Sequence, residues 1–176
     1  MEMTWKTSVW RQFEAAIDML DNALRACPDG LWQARLYNER SAQPEFAEFW
    51  YVAYHALFWL DFYLSDSAEG FAPPAPFTLS ELEAGLLPER VYTKAELQDY
   101  LTYGRNKCRA RLDTLTDALT PQRVRPEWSD MSVAELLLYN MRHVQEHAAQ
   151  LSLFLGQRVG SAQGWVAKAQ NKDNGA

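Results

Sequence analysis

The chain of 176 residues holds only three histidines, and two of them, His143 and His147, stand four residues apart in "NMRHVQEHAAQ". On a helix, at about 100° per residue, they lie about 40° apart around the axis, with Cβ atoms roughly 5–6 Å from each other. Leu136, Asn140, Gln150 and Phe154 project onto the same stripe, which is the kind of face a helix turns inward. Two buried imidazoles need partners. An unsatisfied ring nitrogen costs about 1–3 kcal/mol, and charging both rings side by side costs more. A divalent metal ion meets both demands, because neutral imidazole is its commonest nitrogen ligand.

The third histidine, His55, sits in "WYVAYHALFWLDF", one turn from Tyr51, Val52, Phe58 and Trp59. If its helix neighbours the one carrying His143 and His147, three imidazoles meet. That is the catalytic pattern of three protein ligands and an open position, in which bound water becomes acidic near pH ~7 or a coordinated thiol loses its proton. The plainer reading keeps all three as hydrogen-bonded core residues. Around them, Gln150 and Asn140 are candidates to orient a ligand or a bound water. Glu48, seven residues before His55, is a candidate fourth ligand or base, with a surface carboxylate as the plainer role. Tyr51 and Trp59 belong to an aromatic cluster that reads as core and could include the wall of an apolar pocket.

"HVQEH" also fits the H-x-x-E-H of inverted zinc peptidases, with Glu146 as general base. Such a site needs a carboxylate ligand further along, and after His147 the chain has no glutamate and only Asp173. On a helix surface, pairing of Glu146 with Arg142 is the simpler role.

Four periodic segments must position these groups. The first runs from about Trp5 to Ala26, with apolar Val9, Trp10, Phe13, Ile17, Leu20 and Leu24 at helical spacing, and ends at "CPDG". The second begins near Pro44 and runs to about Leu64, apolar nearly all round and therefore expected to be buried on several sides. Ser65 to Tyr92 carries Pro73, Pro74, Pro76 and Pro88 and reads as a long crossover. Thr93 with Glu96 forms a capping box that opens a third helix, expected to last to about Leu119 before Pro121. Ser132 with Glu135 opens a fourth, expected to end at Gly156. Four long helices with one long connection between the second and third predict an all-α four-helix bundle over residues 1–160, followed by a loosely ordered tail over 161–176.

The bounds on function are broad. A net charge of −6 without a basic run argues against nucleic acid. The absence of both a long apolar stretch and a signal-peptide pattern argues for a cytoplasmic protein with no membrane association. Cys27 and Cys108 are too few and too far apart for a thiolate zinc site and read as small buried hydrophobes.

Taken together, "LYNMRHVQEHAAQ", a histidine within an aromatic second helix, and a proline-rich crossover resemble the DinB-like superfamily of bacterial four-helix-bundle metalloenzymes. The resemblance covers nearly the whole chain, and the three metal-binding histidines of that family fall on His55, His143 and His147. It implies a divalent ion, zinc or nickel, and often a homodimer. It also implies chemistry on a small molecule: thiol-dependent S-transfer or isomerisation with a low-molecular-weight thiol, or hydrolysis. The alternative is a non-catalytic bundle that holds a metal or small ligand.

Overall fold

The computed structural model describes residues 4–38, 43–65, 69–116, 130–160, 162 and 164–169. Four helices dominate them: α1 (Trp5–Ala26), α2 (Phe49–Tyr63), α3 (Lys94–Thr114) and α4 (Val133–Val159). No strand occurs among the described residues, where an isolated bridge pairs Arg35 with Glu48. The helices pack as a four-helix bundle. α1 lies against α3 and α4, α2 lies against the same two, and α1 and α2 stand on a diagonal. α2 and α4 are therefore neighbours, the condition that lets His55 meet the other two histidines. Among the described residues, no helix is long and apolar enough to cross a membrane.

The helix starts follow local chemistry. Thr4 caps α1 by accepting from the Thr7 amide, while Thr93 and Ser132 open α3 and α4 with reciprocal boxes to Glu96 and Glu135. Each box satisfies two amide donors that a helix start leaves orphaned. Three ends differ from expectation. Pro44–Ala47 is a separate 3₁₀ turn, and Glu48 is extended (ψ 147°), so α2 begins only at Phe49. α3 stops at Thr114 because Leu115 turns extended and buries its side chain; Pro121 lies outside the described residues. α4 runs past Gly156 and closes on Gly160, whose positive φ of 72° suits glycine.

Past that cap the chain returns to α1. The Ala169 amide donates to the Arg11 carbonyl at 3.0 Å, Gln12 Nε2 donates to the Ala167 carbonyl at 3.2 Å, and Ala169 itself is buried. Part of the expected loose tail is thus packed against the bundle.

The core runs through all four helices, with α2 buried on almost every side. One charge lies inside it. Asp61 is 0% exposed and accepts from the Tyr100 hydroxyl at 3.0 Å and from Lys107, which also donates to the Asp61 carbonyl at 3.1 Å and to Ser65 Oγ at 2.7 Å. This cluster ties α2 to α3, and its acceptors and donors are mutually matched.

Both cysteines are free and buried. Burial pushes the Cys27 thiol up to about 11 and the Cys108 thiol higher still, which removes the thiolate that reacts. We expect a disulfide-exchange reagent at pH 8 to label neither thiol in the native protein and both in urea; rapid native labelling would contradict this packing.

Candidate metal centre

His55 comes from the middle of α2, and His143 and His147 from adjacent turns of α4. Their ring nitrogens converge. His143 Nε2 lies 3.3 Å from His55 Nε2 and 3.1 Å from His147 Nε2, and one nitrogen from each ring lies within 4.8 Å of the others. Nitrogens bound to a tetrahedral ion at about 2.0–2.1 Å stand roughly 3.3 Å apart, so the observed spacings are those of a ligand set.

The outer nitrogens decide which protons the rings carry. His55 Nδ1 meets Glu81 Oε2 at 2.7 Å, and His147 Nδ1 meets Gln150 Oε1 at 2.9 Å. A carboxylate and an amide oxygen only accept, so both Nδ1 atoms carry the proton and both Nε2 atoms present lone pairs to the centre. His143 could donate one Nε2–H to one of them. That arrangement leaves the other lone pair without a donor, and His143 Nδ1 is buried with no partner among the described residues. Internal hydrogen bonding therefore leaves an inward lone pair without a donor, whereas a cation placed among the three Nε2 atoms uses all of them; His143 Nδ1 has no partner among the described residues in either case. The donor set fits a divalent metal.

The electrostatics agree. Burial, then the neighbouring His147 and His55, lower His143 to about 3; burial and then His55 lower His147 as well. Both rings are neutral at physiological pH, as metal ligands must be. In the metal-free protein this carries a consequence for stability. The unfolded chain protonates His143 near 6.5 while the fold refuses the proton until about 3. Below 6.5 the unfolded state therefore binds more protons, so the stability is whole above 6.5 and is lost as pH falls towards 3. Urea unfolding of chelator-treated protein should show a lower midpoint at pH 5 than at pH 7.5, and His143→Ala should flatten that dependence.

Glu81 escaped the sequence reading. It sits on a 3₁₀ turn of the crossover, Ser80–Leu82, which is pinned to α2 where the Tyr54 hydroxyl donates to the Thr78 carbonyl at 3.1 Å and lies 3.2 Å from Ser80 Oγ. Its side chain is only 4% exposed. Burial raises its carboxyl, but bonds from His55, Tyr51 and Trp59 outweigh this and hold it below the ordinary glutamate value. Trp59 Nε1 donates to the same Oε2 at 2.9 Å. The sequence offered no signal for Glu81, one of five acidic residues in the crossover with Asp66, Glu69, Glu83 and Glu89.

The other candidates are distributed as follows. Gln150 contacts His147, Trp59 contacts Glu81, and Tyr51 lines a cavity of about 350 Å³ with Tyr37, Phe46, Val52, His55, Glu81 and His147. Glu48 turns away, accepting from Trp50 Nε1 at 2.6 Å. Its extended backbone puts it off the α2 wheel that had aligned it with His55. Asn140 is buried and donates to the Leu60 carbonyl at 3.1 Å, a clamp between α4 and α2 rather than a contact to the histidines. Glu146 lines a separate groove on the α1 side with Arg142, Gln12 and Trp165, so it does not serve the histidine cluster as a base.

With this geometry in place, the comparison with known families is decisive: the profile of the DinB superfamily matches residues 12–151. The chain belongs to the DinB superfamily. The matched span begins in α1 and ends in α4, and it contains all three histidines, Glu81 and Gln150. No curated protein and no solved structure matches the chain.

Proposed function

We propose that this DinB superfamily member is a divalent-metal-dependent enzyme acting on a small molecule at the His55, His143 and His147 centre. The observation that carries the reading is the pair of outer acceptors, Glu81 and Gln150, which turn two Nε2 lone pairs towards His143 beside a cavity open to ligand. Three histidines leave a coordination position free. A divalent ion held there, zinc or nickel, would supply the Lewis acidity that makes water or a thiol nucleophilic near neutral pH. The chain supplies the rest. Glu81 and Gln150 fix the ring orientations, burial keeps His143 and His147 neutral, and aromatic side chains wall off the approach.

The reaction class that suits such a site is thiol-dependent S-transfer or isomerisation, or hydrolysis. Resemblance to the family supports the thiol, and the size of the cavity supports a small substrate over a nucleic acid. We place the protein in the cytoplasm as a homodimer; light scattering giving the mass of one chain at micromolar concentration would remove the dimer.

The test is metal content. Protein prepared without a histidine tag, incubated with zinc or nickel and desalted at neutral pH, should retain about one ion per chain. Retention of none would end the proposal. One ion without turnover of any thiol substrate would favour a non-catalytic metal-binding bundle.

A further inference from the structure

The face of α4 turned away from the bundle carries a pattern that the histidine centre does not use. At about 100° per residue, Leu138, Ala149, Arg142, Leu153 and Glu146 follow one another across about 80° of the helix surface. All five are exposed, Leu138 by 47% and Leu153 by 62%. The opposite side of the helix holds Val144, Ala148, Leu151 and Leu155, all buried in the core. None of the five lines the histidine cavity. Arg142 and Glu146 stand four residues apart, yet neither is in an ion pair among the described residues, where Asp21 with Arg25 and Arg109 with Asp113 do pair at that spacing. Beside the stripe, Trp165 is 71% exposed and lines a groove with Arg142, Glu146 and Ala149.

The stripe matches itself. A two-fold axis through the middle of α4 sets a second copy antiparallel, so that each residue faces the one equally far on the other side of that middle. Leu138 and Leu153 are centred between Gln145 and Glu146, and Arg142 and Glu146 are centred on Val144. The two centres differ by about 2 Å of helix rise, so one axis serves both pairings. That register lays Leu138 beside Leu153 of the second copy, twice, and brings Arg142 to its Glu146, twice. Ala149, near the middle, is small enough to let the two backbones approach.

We propose that this outer face of α4 is the surface through which two copies of the chain associate, held by two leucine pairs and two reciprocal ion pairs of Arg142 with Glu146. A partner of one charge sign would satisfy one of these side chains and oppose the other, whereas a second copy satisfies both. The exposed leucines leave water on both sides of the contact. The histidine cavities, lined by other residues, stay open in the pair. The proposal names the surface of the homodimer proposed above and so rests on that part of the reading, and its readout is independent of the metal.

Light scattering and sedimentation of the full chain at micromolar concentration should give twice the mass of one chain for wild type. Arg142→Glu or Glu146→Arg sets like charges against each other and should weaken dimerisation by about tenfold or more, while the double variant restores both pairs with signs exchanged and should return to within about threefold of wild type. Glu146→Arg is the sharper arm, because it reduces the net charge of −6 and would favour association if overall repulsion were what mattered. Leu153→Lys, which leaves both ion pairs in place, should weaken the dimer as well. All three side chains are exposed, so thermal melts should show each variant folded. A one-chain mass for wild type would overturn this proposal together with the homodimer. A dimer that Arg142→Glu, Glu146→Arg and Leu153→Lys all leave intact would overturn the surface alone. A double variant no tighter than the single ones would overturn the pairing.

Discussion

Alanine at His143 should strip the bound metal while leaving the bundle standing. His143 is the ring whose Nε2 lies within 3.3 Å of both other Nε2 atoms, so its removal leaves two ligands on different helices with nothing between them. Losing a supporting residue costs about 10–100-fold in metal affinity. Gln150→Ala and Glu81→Ala should fall in that range, and His143→Ala beyond it. The apo-protein should behave in the opposite direction. His143 brings a buried nitrogen without a partner among the described residues and a lowered pKa, so the metal-free alanine variant should melt no lower than metal-free wild type, while wild type alone gains stability on adding zinc or nickel. A plain hydrogen-bonding role predicts the reverse: no metal-linked stabilisation in either protein, and a destabilised variant.

The second large effect lies away from the metal. Asp61→Ala would leave the Tyr100 hydroxyl without its acceptor and the Lys107 ammonium without its carboxylate in the α2 and α3 interface. Breaking a buried pair by removing one partner costs about 3–5 kcal/mol, a large part of the stability of a domain this size. Urea unfolding at pH 7 should show that loss. Asp61→Asn, which keeps an acceptor for Tyr100, should lose less, while Lys107→Met should cost at least as much as Asp61→Ala because it leaves the fully buried carboxylate without its cation. A change below about 1 kcal/mol for Asp61→Ala would mean that the cluster contributes little.

Much of the molecule was legible in the sequence because its signals are local. Capping boxes at Thr93 and Ser132 mark helix starts by residue type alone, and the His143 and His147 spacing fixes a shared face. The meeting of His55 with that pair needed only that α2 and α4 be neighbours. Glu81 was out of reach for a different reason: it approaches His55 from 26 residues away through an irregular segment, where no periodicity says which way a side chain points. Glu48 failed through the converse error, since helical geometry was extended to a residue that stays in the extended conformation. Asn140 does share the stripe, but a stripe one turn longer than the site also contains residues that serve only the joint between helices.

The placement of Glu81 on the crossover separates two things that could have been built together. The nitrogens belong to helices, whose spacing cannot change without repacking the core, while the group that orients His55 through its Nδ1 and lines the cavity belongs to a connection pinned by Tyr54. Surface connections tolerate insertion and exchange far better than packed helices do. Grafting a different crossover onto this bundle is therefore a way to retune ion preference and ligand choice while the three nitrogens stay where they are, and variation among related chains should be sought first in that segment.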